Sequence, residues 1–264
     1  MFNRLQQSIT MEFPDPEETA QVKSFSLYVA LSQGLGVIMV VMAGLWTSSL
    51  YLGGFAWDGS AKHFNFHPLF MVIGVVFIYG EAAIVYRVFQ NTEKFKLKII
   101  HASLHIMVFV SIIIALVAVF DFHNNKGIPN MYSLHSWCGM ATVLMFCLQL
   151  CLGFSAYLWP GTTQSLRATY LTLHQFFGSA ILICICITCI SGINEKLFFL
   201  KKYGTLGPVY AFGNVLGLVI IAFIVSIMWI LHKREWRRVP LPNETEDVFN
   251  VNRIRYGDDD TLNP

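Results

Sequence analysis

Apolar residues fill six stretches of this chain, at about 25–47, 68–89, 99–121, 134–158, 170–193 and 209–231. Each is about 20 residues or longer, the length a helix needs to cross the hydrocarbon core of a bilayer. Leu, Ile, Val and Phe lie all round these stretches and do not alternate with polar residues. A membrane barrel would alternate, and a span must satisfy its own backbone hydrogen bonds, so helices are predicted. The pattern predicts an all-α integral membrane protein, a six-helix bundle with short loops. It divides the chain into a tail at 1–24, a transmembrane domain at 25–238 and a polar, disordered tail at 239–264.

Composition agrees: of 264 residues, 55% are hydrophobic and only 13% charged, about half the charge of a soluble domain. The acidic run "MEFPDPEE" before the first span, and that span's length, argue against a cleaved signal peptide. Six spans place both ends on one side, and the 18 Lys and Arg residues choose it. One face carries Arg4, Lys23, Arg87, Lys94, Lys96, Lys98, Arg167, Lys233, Arg234, Arg237, Arg238, Arg253 and Arg255. The other carries Lys62, Lys126, Lys196, Lys201 and Lys202. The richer face is the cytosolic one, so both termini are expected in the cytosol. The tail sequon Asn243-Glu244-Thr245 would then stay unmodified. All six cysteines, Cys138, Cys147, Cys151, Cys184, Cys186 and Cys189, fall inside predicted spans, where they read as small packing residues. The partner expected from composition is lipid, and no nucleic-acid-binding patch is expected.

The chain has eight histidines, and four of them open consecutive spans. His67, in "FNFHP", opens the second span at the outer side. His101 opens the third at the inner side, His135 the fourth at the outer side, and His174 the fifth at the inner side. A single histidine at a helix end is ordinarily a packing residue. Four at two matched depths are not, because ionisable groups in a membrane are costly and mark function. Paired histidines on facing helices are the axial ligands of six-coordinate b-type haem. His67 with His135, and His101 with His174, would hold two haems, one near each face. Residues 67 to 87 cover roughly 30 Å, which spaces the two sites across the bilayer. A bis-histidine iron has no open position and passes electrons. The rival class is a zinc or proton-coupled transporter using the histidines and Glu81. That reading predicts a cluster at the midplane within broken helices.

The stretches "FNFHP", "AIVYRVF", "KLKIIHASLH", "AVFDFH", "MYSLHSWCG", "SLRATYLTLH" and "GINEKLFF" resemble the cytochrome b-561 family of ascorbate-dependent transmembrane reductases. The resemblance covers about residues 25–238. "SQGLG", "AVFDFH" and "SLHSWCG" look most like its chromaffin-granule member, and "SGINEKLFF" looks more like its lysosomal member. It implies electron transfer from cytosolic ascorbate through two haems b to monodehydroascorbate or ferric iron on the other side, in a secretory vesicle, lysosome or related endomembrane. The family tends to form homodimers. Its four ligands fall on His67, His101, His135 and His174. His105, a turn deeper than His101 on the same face, is the weaker candidate ligand.

The resemblance further makes Arg87 a partner of the inner haem and Glu195 part of the outer haem's surroundings. Asn130, Met131, Tyr132 and Ser133 precede a helix start suited to a propionate, and Arg237 could reach the inner haem. His123 would line the outer substrate site. Lys94 and Lys98 share a helical stripe with His101, and Arg167 shares a face with His174. These three cations match the family's ascorbate site. Lys96 is off the stripe. Glu81 lies inside the second span, where a carboxylate must be paired, hydrated or protonated. A basic residue of the inner site is one candidate partner.

Overall fold

A computed structural model of the chain describes residues 16–200, 207–242 and 244. Arg4, Arg253, Arg255, Lys201, Lys202, Asn243, Thr245 and the tail beyond lie outside the described residues. The chain runs through α1 (Pro16–Thr47), α2 (Ala61–Phe64), α3 (Phe66–Phe70), a π-helical stretch (Met71–Ile78), α4 (Tyr79–Val88), α5 (Lys94–Lys126), α6 (Leu134–Tyr157), α7 (Gln164–Phe199) and α8 (Pro208–His232). There is no strand among the described residues. Six helical spans are long and apolar enough to cross a membrane, with α2 to α4 forming the second.

The helices outlast the apolar stretches that predict them. α5 begins at Lys94 rather than 99, and α7 runs from Gln164 to Phe199 rather than 170 to 193. The 36 residues of α7 span roughly 54 Å, well beyond an apolar core of about 30 Å. Hydropathy stops at the first charged residue, whereas a helix continues while its polar side chains reach water. Lys94, Lys98, Arg167, Glu195 and Lys196 are therefore helical and rigidly placed.

α6 packs along α7, α1 along α8, and the second span along α5. The core between them holds Met39, Trp46, Val76, Tyr79, Ile181, Leu182, Phe223 and Ile227. Leucine, valine and isoleucine on the outer flanks of α1, α5 and α8 are exposed, as lipid-facing residues are. Polar side chains tie spans together where the backbone offers acceptors. Tyr79 donates to Gly178 O at 2.8 Å, and Trp46 Nε1 to Val209 O at 3.2 Å. Asn65 is fully buried. Its amide donates to the carbonyls of Thr47, Leu52 and Gly54 at 3.3, 2.9 and 2.7 Å. That one side chain holds the loop after α1 against the turn that presents His67. His63, also buried, accepts from Gly59 N–H at 3.2 Å and packs on Trp57, a structural use of the histidine nearest to His67.

Candidate functional site: two histidine pairs at opposite ends of the bundle

His67 lies in α3 and His135 at the start of α6, where Ser133 and Ser136 form a capping box. Their ring centroids are 6.1 Å apart, the planes at 89°. His67 Nδ1 is 3.1 Å from Ala115 O, and His135 Nδ1 is 3.0 Å from Thr188 O. A carbonyl only accepts, so each Nδ1 carries the proton and each Nε2 is left with its lone pair free. At the other end His101 and His174 are also 6.1 Å apart, at 63°. His101 Nδ1 faces Ala82 O at 2.8 Å.

This spacing can be tested against a metal between the rings. Two metal–nitrogen bonds of about 2 Å, plus about 1.1 Å from nitrogen to ring centre on each side, give about 6.2 Å. Both pairs fit. Among the described residues no group of three or more His, Cys, Asp or Glu could enclose a metal ion, and the pairs stand at the ends of the bundle, away from its middle. His105 is a turn deeper, its ring edge-on to His101 at 4.5 Å, wedged between Tyr79 and Phe146.

Glycines make room for two of the rings. A Cβ on Gly192 of α7 would meet His135 Cε1 at 2.6 Å, and one on Gly153 of α6 would meet His174 Cε1 at 3.0 Å. Each of these neighbouring helices thus gives up a side chain where the other presents its imidazole.

The outer pair opens into a cavity of about 690 Å³, within the size range of cofactor pockets. His123, Met131, Tyr132, Ser133 and Glu195 line it. Glu195 accepts from Tyr132 Oη at 2.7 Å and from Ser133 Oγ at 3.1 Å. Desolvation of its hydroxyl, then this carboxylate, raises the Tyr132 phenol above its ordinary pKa. His123 packs on Tyr132. Asn130 donates to Asn124 Oδ1 at 2.9 Å, and Met131, at φ 57°, accepts from Trp137 Nε1. The stretch 130–133 is thus a bonded rim, with Ser133 capping the helix itself.

At the inner end Lys98 donates to Tyr157 O at 3.3 Å, and the charges of Arg167 and Lys94 both act on it. Tyr157 and Tyr170 stack on each other and flank His174. The two stripes therefore converge beside His174. Lys96 instead pairs with Glu93 in solvent, at 3.1 Å. Arg87 donates through both terminal nitrogens to the carbonyls of Leu231 and Lys233, closing the end of α8. Arg237 is exposed. Its neighbour Arg238, which no sequence pattern singles out, is half-buried. It donates to Glu244 at 2.7 and 2.8 Å and to Thr92 O at 2.8 Å. Glu244 in turn accepts from the backbone N–H of Lys94 at 2.8 Å.

Among the described residues Glu81 meets no basic partner. Gln33 of α1 donates to both its oxygens, at 2.8 and 2.9 Å.

The eukaryotic cytochrome b561 family matches residues 66–200, which include both histidine pairs. The chain is 46% identical over 221 residues to the transmembrane ascorbate-dependent reductase of Ovis aries, covering 83% of this chain and 86% of that one. It is 41% identical over 225 residues to the lysosomal membrane ascorbate-dependent ferrireductase of Danio rerio, covering 81% and 90%. It is 42% identical over 229 residues to the plasma membrane ascorbate-dependent reductase of Xenopus tropicalis, covering 85% and 80%. A match spanning four suitably spaced histidines, and identity of this degree over most of the chain, make it a member of the eukaryotic cytochrome b561 family.

Proposed function

We propose that this protein is a transmembrane oxidoreductase that takes electrons from cytosolic ascorbate and delivers them across the membrane to monodehydroascorbate or ferric iron. The observation that carries the reading is the pair of 6.1 Å histidine–histidine spacings, one at each end of the bundle. Bound haem b at each pair would supply a one-electron centre with no open coordination position. His67 and His135 would hold the outer group, and His101 and His174 the inner one. The carbonyls of Ala115, Thr188 and Ala82 keep three of these imidazoles in the tautomer that directs Nε2 inward.

Lys94, Lys98 and Arg167 give the inner end its donor site. Ascorbate is an anion near neutral pH, and three converging cations concentrate and orient it beside His174. At the outer end His123, Tyr132 and Glu195 frame the exit. The Lys and Arg bias puts the inner end and both termini in the cytosol, within a vesicular, lysosomal or similar membrane.

The purified protein should be red, with about two haems per chain. His67→Ala or His135→Ala should lose the outer haem, and His101→Ala or His174→Ala the inner one, so that the ratio falls towards one. A folded but colourless protein would overturn the proposal. Retention of both haems by His101→Ala, with loss of one in His105→Ala, would overturn the inner assignment.

A further inference from the structure

Lys196 belongs to neither histidine pair nor to the donor stripe, and its surroundings are unusual for a lysine. It lines the outer cavity. Its Nζ sits 4.2 Å above the ring of Phe64, a cation–π contact. It forms no ion pair among the described residues. The carboxylate next to it in sequence, Glu195, has both oxygens engaged by Tyr132 and Ser133. An ammonium drawn from water into an apolar wall without a counter-ion is costly, and a cavity at its side offers a place for one. Phe64 also packs on His67, with centroids 5.8 Å apart. Lys196 and an outer imidazole thus pack on the same Phe64 ring.

We propose that Lys196 is an anion-binding residue of the outer cavity, recognising the carboxylate or enolate of an incoming electron acceptor. The proposal rests on the electron-transfer reading above and adds to it a specificity determinant at the exit. Two acceptors share this chemistry: the monodehydroascorbate radical anion, and ferric iron held by a carboxylate chelator. A carboxylate of the bound cofactor is the competing occupant, and the experiment distinguishes it.

The test uses the full-length, haem-loaded protein in vesicles with ascorbate inside. Initial rates are measured with ferric citrate, with monodehydroascorbate followed by its radical signal, and with the cationic acceptor hexaammineruthenium(III). Lys196→Gln should raise KM for the anionic acceptors about tenfold, the loss expected for one charge-assisted contact. Lys196→Arg should restore it. The ruthenium complex should not lose affinity. A rise confined to one anion supports the proposal and identifies which acceptor the site takes.

Equal losses for the cationic and anionic acceptors would overturn it, as would unchanged KM for both anions. Unchanged KM with a shifted outer-haem midpoint potential would assign Lys196 to the cofactor's carboxylates instead. Failure of the electron-transfer reading is separately visible, since the unsubstituted protein would then not be reduced by ascorbate at all.

Discussion

Gly192→Ala should remove one haem and leave the other. The new methyl would stand 2.6 Å from His135 Cε1 and 2.9 Å from Nδ1. Carbon atoms pack at about 3.5–4.0 Å, so the ring must retreat by roughly 1 Å. It cannot do so in place. On one side its Nδ1 is held by Thr188 O at 3.0 Å. On the other its Nε2 would be held by a bond of about 2 Å to the metal. The fold should survive, since overpacking by one methyl costs about 1–3 kcal/mol, but the coordination geometry should not. Gly153→Ala makes a graded comparison, because its methyl meets His174 Cε1 at 3.0 Å and needs only a few tenths of an ångström. It should keep its haem with altered low-spin resonances. Gly34→Ala and Gly44→Ala meet nothing within 4 Å and serve as controls. Haem-to-protein ratio and low-temperature electron paramagnetic resonance read the outcome. If Gly192→Ala keeps two haems with both low-spin signals unchanged, His135 is not a ligand in the geometry described.

Lys98→Ala and Arg167→Ala should slow stopped-flow haem reduction by ascorbate about tenfold or more while barely affecting reduction by uncharged dithiothreitol. Lys96→Ala should change little, and an equal response of all three would reduce the site to general surface charge. Hydrogen bonds from Arg238, foremost, hold the Glu244 carboxyl at about 2, below its ordinary 4.5. Its clasp on the start of α5 should thus be fully present above about pH 4.5 and fade as pH falls towards 2, by about 1 kcal/mol after solvent screening. Protection of the α5 N-terminal amides from hydrogen exchange should follow that curve, and Glu244→Gln should flatten it. Gln33→Leu should lower thermal stability by about 1–3 kcal/mol, because it strips the bonds from a carboxylate inside the bundle. Glu81→Leu combined with it should recover most of the loss, and failure to recover would mean that Glu81 has another role.

What the sequence made legible followed from local rules. Each span announces itself by twenty apolar residues. Strict alternation of direction then sorts four histidines into two depths without any knowledge of packing. Lys94, Lys98 and His101 fall in line because they share one helix, and helical spacing needs no partner to be read. The misses all depend on a second helix. Hydropathy ends the fifth span before Lys196, which nothing in the sequence singles out although it lies with Glu195 on the wall of the outer cavity. A basic residue is only one candidate partner for Glu81 from sequence, and the glutamine that binds it is 48 positions away. Arg87 reads from the resemblance as a partner of the inner haem; what only the fold adds is that its nitrogens also meet carbonyls about 145 positions away at the end of α8. Gly192 and Gly153 were invisible for the same reason, since a glycine in an apolar span looks like any small residue until the opposite imidazole is in view. In this fold the sequence carries the four candidate ligands plainly. The groups that fix each ligand's tautomer, clearance and charge environment are supplied across helix interfaces, so substitutions at those silent positions are the sharper test of whether the geometry is right.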